Sequence, residues 1–156
     1  MKKLLLTYAT RPFSMRVAQL LSEQFEIVLA TSDDVPTLFK DRYCKIPRGV
    51  NPTYAHEILK VALDLDCNYI LPLGIDEIQA LSASLVLFEE YGIDVLCPGM
   101  NQLAELPMLE NPDKELSLSL FVRGYDVLKS TSDSFSFNGL GVVSDSGESF
   151  ILTVAK

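Results

Sequence analysis

Two short stretches place reactive side chains just after apolar runs. Thr10-Arg11-Pro12-Phe13-Ser14 follows LLLTY (4–8), and Leu73-Gly74-Ile75-Asp76-Glu77 follows YILP (69–72). Each stretch reads as a strand-to-helix turn. Backbone N–H groups at a helix start lack intrahelical partners and favour an anion. Arg11 adds a guanidinium, and Asp76 and Glu77 add carboxylates. A cation set against carboxylates suits a zwitterionic or carboxylated small molecule. The same residues also suit a purely structural role. Thr10 or Ser14 can cap the first helix, Asp76 can cap the second, and Arg11 can pair with Glu77.

No other constellation competes. The turn from Thr7 to Ser14 has no glycine, and the chain holds no P-loop motif. Asp33 and Asp34 follow the second apolar run, where a dinucleotide fold keeps its ribose-binding acid, but no glycine fingerprint accompanies them. They read as a solvated acidic loop. His56, the lone histidine, has no Cys or His partner at ligand spacing and reads as a surface residue. Cys44, Cys67 and Cys97 are odd in number and widely spaced, so they form neither a disulfide framework nor a metal motif. The late serines, Ser136 among them, lack a nucleophile-elbow context. No metal site is expected.

The elements that must position the two turns follow from periodicity. Short apolar strands are read at 4–8, 26–30, 43–47, 69–72 and 94–97. Helices fall between them. The first has Phe13, Val17, Leu20 and Leu21 on one face, and Pro12 in its first turn. The second starts at Asn51-Pro52 with the stripe Ala55, Ile58, Leu59, Ala62 and Leu65. A third runs from the LGIDE turn to Gly92 with Ile78, Leu81, Leu85 and Phe88 inward. Strands alternating with helices predict an α/β, Rossmann-like three-layer domain with a parallel sheet in the order 3-2-1-4-5. The crevice then lies between the first and fourth strands at their C-terminal ends.

Beyond Gly99 the pattern changes. A short helix spans 100–106, and Pro112-Asp113-Lys114 starts another that runs to about Val122. The segment 126–129 is extended, and STSDSFSFNG (130–139) is polar and turn-rich. The last residues form a β-hairpin about Ser144-Asp145-Ser146-Gly147. The expected organisation is an α/β domain over 1–99, a helical linker over 100–130 and a hairpin extension over 131–156.

The 156 residues carry a formal net charge of −8, with 48% hydrophobic residues. That charge disfavours nucleic acid and anionic membranes as partners. The apolar run near the N-terminus is too short for a signal peptide, which predicts a cytoplasmic protein.

Together the segments TYATRPFSMRVAQLL, DRYCKIP, YILPLGIDEIQALSA and NPDKELSLSLFVRGYDVLKS, in this order, resemble the pre-ATP-grasp domain. This is the N-terminal lobe of biotin carboxylase-like and carbamoyl-phosphate-synthase-like enzymes. The resemblance covers about residues 3 to 130. It implies a lobe that walls one side of a ligase active site, with Thr10, Arg11, Asp76 and Glu77 toward the substrate; Ser14, in the same turn as Arg11, completes the substrate-binding candidates. It implies Lys114 as a contact to ATP phosphates. The residues after Lys129 offer no counterpart of the glycine-rich phosphate loop or the Glu-x-Asn magnesium ligands. ATP and magnesium are therefore expected only with a complementary lobe. The function this implies is a stand-alone or split lobe that binds a small metabolite or docks an ATP-grasp partner chain. The competing expectations are a structural module that oligomerises through an exposed hairpin edge, and a Rossmann-type nucleotide-binding enzyme.

Overall fold

A computed structural model describes residues 1–132 and 135–156. Asp133 and Ser134, within the polar 130–139 segment, lie outside the described residues. Five strands form a parallel sheet: β1 (Lys2–Leu6), β2 (Phe25–Thr31), β3 (Cys44–Lys45), β4 (Tyr69–Leu71) and β5 (Asp94–Val95). Their order is β3-β2-β1-β4-β5, as the sequence predicts. Leu4 of β1 sits between Ile27 of β2 and Tyr69 of β4.

The strand period of two divides the core. Leu4 and Leu6 face one side with Phe13, Val17 and Leu21 of α1 (Pro12–Leu21). Leu5 faces the other with Tyr54, Ile58 and Ala62 of α2 (Tyr54–Asp64) and with Ile78 and Leu81 of α3 (Ile75–Ser82). Three details depart from the periodic reading. Leu20 is exposed, and the fully buried Ser14 shares the inner face of α1 instead. The helix read through to Gly92 is two helices, because the chain breaks at Ala83-Ser84 before α4 (Leu85–Glu90). The Asn51 carboxamide accepts from the Thr53 N–H at 3.0 Å, and α2 begins only at Tyr54.

The C-terminal third needs a larger correction. A short helix, α5 (Met100–Glu105), forms as expected. No helix follows Pro112. Asp113 accepts from the Glu115 N–H at 3.0 Å in a local turn, and the chain continues as β7 (Ser119–Val122). Before it lies β6 (Met108–Glu110), and after it come β8 (Tyr125–Asp126) and β9 (Thr131–Ser132). The expected hairpin is present as β10 (Gly139–Val143) and β11 (Phe150–Val154), with Gly147 in the left-handed conformation at φ 75°. It is built into a six-stranded sheet in the order β6-β11-β10-β7-β8-β9. Both hairpin strands are flanked over part of their length, β10 by β7 at Gly139–Gly141 and β11 by β6 at Leu152–Val154. This second sheet closes both cores. Leu120 and Leu140 join the α1 side, while Phe121, Phe150, Leu152 and Val154 join the α2 side. The Ala155 N–H donates to the Leu73 carbonyl at 2.7 Å and ties the last strand to the turn after β4.

Among the described residues, no helix is long and apolar enough to cross a membrane. Cys67 and Cys97 are buried, and burial pushes the Cys97 thiol up to about 12.

Candidate functional site

The turn after β1 solves its geometry without glycine. Tyr8 takes the left-handed conformation, at φ 51°. The Arg11 N–H closes the turn on the Tyr8 carbonyl at 3.0 Å, and Pro12 then starts α1. Left-handed backbone costs a residue with a Cβ about 1–2 kcal/mol. Its retention at a strand end is the kind of strain that accumulates at functional sites. Glycine is required across the crevice instead. A Cβ on Gly74 would collide with the Tyr8 ring, and one on Gly49 would lie 2.6 Å from the Glu77 nitrogen. The Tyr8 ring thus packs directly on the Gly74 backbone.

This seating organises the polar groups. The Tyr8 hydroxyl donates to Asp76 Oδ1 at 2.9 Å. Arg11 lies over the Tyr8 ring, 5.5 Å from its centre, in cation–π range. Arg11 also pairs with Asp33 Oδ2 at 2.8 Å, and the Thr10 hydroxyl donates to the same oxygen at 2.7 Å. Lys45 pins the loop that carries Asp33, donating to the carbonyls of Ser32 and Asp33 at 2.8 and 3.0 Å. The result is a concavity of about 300 Å³ walled by Tyr8, Arg11, Asp33, Asp34, Arg48 and Asp76. It lies over the C-terminal ends of β2, β1 and β4 and so borders the strand-order switch between β1 and β4.

Beneath it sits Glu77, 1% exposed. Its carboxylate accepts from the Tyr54 hydroxyl at 3.0 Å and from the Gly74 N–H at 3.3 Å. Burial raises its pKa to about 7, with Asp76 adding to the rise, while hydrogen bonds from Thr7, Tyr54 and Gly74 oppose it. Burial, followed by the hydrogen bond to Asp76, likewise raises the Tyr8 phenol. Asp76 does not cap α3, whose N-cap is Gly74, but its Oδ1 also accepts from the Glu77 N–H at 2.9 Å.

The sequence-read residues distribute as follows. Arg11 and Asp76 line the concavity, and Thr10 anchors its Asp33 wall. Arg11 pairs with Asp33, not with Glu77, because Glu77 is turned inward under α2. Neither Thr10 nor Ser14 caps α1, which has no side-chain cap. The Ser14 hydroxyl is buried without a hydrogen-bond partner among the described residues. Lys114 lies in a different depression, beside Pro12, Phe13, Arg16 and Lys156. His56 is exposed. Periodicity alone passed over Tyr8, Arg48, Gly49 and Tyr54. Asp33 carried a signal, its place just past the second strand, but its partners are distant in sequence.

Around the crevice Arg11 is paired with Asp33 and Lys45 with Asp34, and Arg48 and Asp76 complete the charged wall. Among the described residues, no group of three or more His, Cys, Asp or Glu side chains is arranged to hold a metal ion.

The tightest steric demand yields a prediction. Gly74→Ala should cost about 1–3 kcal/mol, the range for inserting a group into filled space. It should also unseat Tyr8. Urea unfolding gives the first quantity, and the chemical shifts of the Tyr8 ring give the second. A variant as stable as the parent, with Tyr8 unmoved, would show that the ring does not pack on Gly74.

No protein-family model and no curated protein matches this chain.

Proposed function

We propose that this chain is a small-molecule-binding α/β lobe of the kind that opens ATP-grasp carboxylate–amine ligases. It holds a metabolite in the crevice between β1 and β4 and leaves ATP and magnesium chemistry to a complementary lobe. The observation that carries this reading is the constellation at the strand-order switch. Tyr8 is held in a strained conformation, and Arg11, Asp33 and Asp76 are fixed around it. In open α/β sheets, ligands bind at that point, outside the carboxyl ends of the strands. The resemblance of the ordered segments to a pre-ATP-grasp lobe supports the same assignment.

Isothermal titration with a metabolite panel, with and without ATP–magnesium, tests the reading. Binding of a metabolite but not of ATP is expected. Arg11→Ala should weaken that binding at least tenfold. Its half-exposed ion pair contributes little to stability, so the melting temperature should move by no more than about 4 °C. An absence of metabolite binding, together with no ATP-grasp partner recovered on affinity purification, would refute the proposal.

A further inference from the structure

We infer that the crevice ligand is a zwitterionic α-amino acid. This rests on the small-molecule reading above and narrows it to a chemical class.

The charges decide the head group. Asp76 spends only Oδ1 on the protein, accepting from Tyr8 and from the Glu77 N–H. Asp33 spends only Oδ2, on Thr10 and Arg11. Each therefore keeps one oxygen for a ligand donor, and an ammonium group is the donor that best satisfies two carboxylates. Facing them is Arg48, whose side chain forms no ion pair among the described residues. A guanidinium matches a carboxylate through two parallel N–H donors. Arg11 and Lys45 already compensate Asp33 and Asp34, so a dianion would find Arg48 opposed by Asp76, unpaired among the described residues. A simple amine would leave Arg48 unused. A zwitterion satisfies both sides.

An adjoining space receives the side chain. A second concavity of about 410 Å³ shares Thr31, Asp33 and Asp34 with the first and is otherwise lined by Val35, Lys40, Tyr43 and Lys45. The Lys45 ammonium already reaches Ser32, Asp33 and Asp34. This second space gives an amino-acid side chain room to lead away from the head group.

The test uses the full chain with three matched probes: L-phenylalanine, phenethylamine and 3-phenylpropionate. Titration calorimetry measures affinity, and amide chemical shifts locate each probe. L-Phenylalanine should bind at least tenfold more tightly than either probe lacking one charge. Arg48→Ala should weaken L-phenylalanine and 3-phenylpropionate while leaving phenethylamine unchanged. Asp76→Asn keeps the oxygen that Tyr8 and the Glu77 N–H use. It should weaken L-phenylalanine and phenethylamine and spare 3-phenylpropionate. If loss of either ligand charge changes affinity less than twofold, or if neither variant alters binding, the zwitterion assignment is overturned. Should another metabolite shift the crevice amides while no amino acid does, the assignment falls and the binding lobe stands. If nothing shifts those amides, both fall.

Discussion

Glu77→Gln should flatten the pH dependence of stability between pH 5 and pH 8. The physical basis is a carboxyl whose pKa rises from its ordinary 4.5 to about 7 on folding. The folded chain then binds a proton that the unfolded chain has released, and stability falls as pH rises through this window. The advantage of the protonated form is complete below about 4.5 and gone above about 7. At 1.36 kcal/mol per pH interval, the full effect is about 3 kcal/mol. The carboxamide of the variant does not titrate. It leaves one buried donor poorly matched, at a cost of about 1–3 kcal/mol that does not depend on pH. The variant should therefore be the weaker protein at pH 5 and gain on the parent by about 3 kcal/mol by pH 8. Urea midpoints of both proteins at the two pH values measure this double difference, in which the titration of other groups cancels. Parallel curves would show that Glu77 titrates normally despite its burial.

The prediction also concerns the site. Glu77 joins the start of α3 to Tyr54 at the start of α2, and its neighbour Asp76 orients Tyr8. The groups facing the Glu77 carboxyl are Tyr54, Thr7 and Asp76. None of these is a cation that would stabilise its charged form. The floor of the crevice thus holds a carboxyl that burial biases toward its protonated form.

Much of the architecture was legible because strand and helix periods alternate cleanly up to Cys97. Short apolar strands ended by Pro47, Pro72 and Pro98, with helical stripes between them, leave few arrangements besides the observed sheet order. The 112–122 segment misled for a definite reason. Pro112-Asp113 is a sound helix start, yet LSLSLF alternates with a period of two, and Leu118 and Leu120 are buried. The local signal yields to Arg16, a residue remote in sequence. Its guanidinium donates to the carbonyls of Asp113, Lys114 and Leu116 at 3.0, 3.2 and 2.7 Å. A helix needs those carbonyls for its own N–H groups. The candidate site was legible in part. Arg11 and Asp76 stood out by type and position. Tyr8 did not, because nothing local announces an aromatic residue in a left-handed turn. Its reason lies at Gly74, across the crevice. Asp33 likewise becomes meaningful only once β1 and β2 are paired.

Phe150→Ala should destabilise the whole protein by about 3–5 kcal/mol, the usual cost of emptying a buried aromatic site. Such a loss is a large share of the roughly 5–15 kcal/mol that holds a domain folded. Phe150 is 2% exposed and packs against Phe121 and Phe137 with ring centres 5.6 and 5.1 Å apart. Gly141 leaves it no slack, since a Cβ there would collide with the Phe150 ring. The more telling consequence is where the loss is felt. Phe150 belongs to the same buried cluster as Leu5 and Ile70 of the parallel sheet. The second sheet is therefore a wall of the first sheet's core. Unfolding should remain one transition, shifted equally for the near-ultraviolet signal of the tyrosines and for helical circular dichroism. The amides of β1 and β4 should lose protection against hydrogen exchange together with those of β10 and β11. Were the variant to melt its second sheet while β1 and β4 kept full protection, the parallel sheet would be self-sufficient. The shared core would then contribute nothing to holding the crevice open.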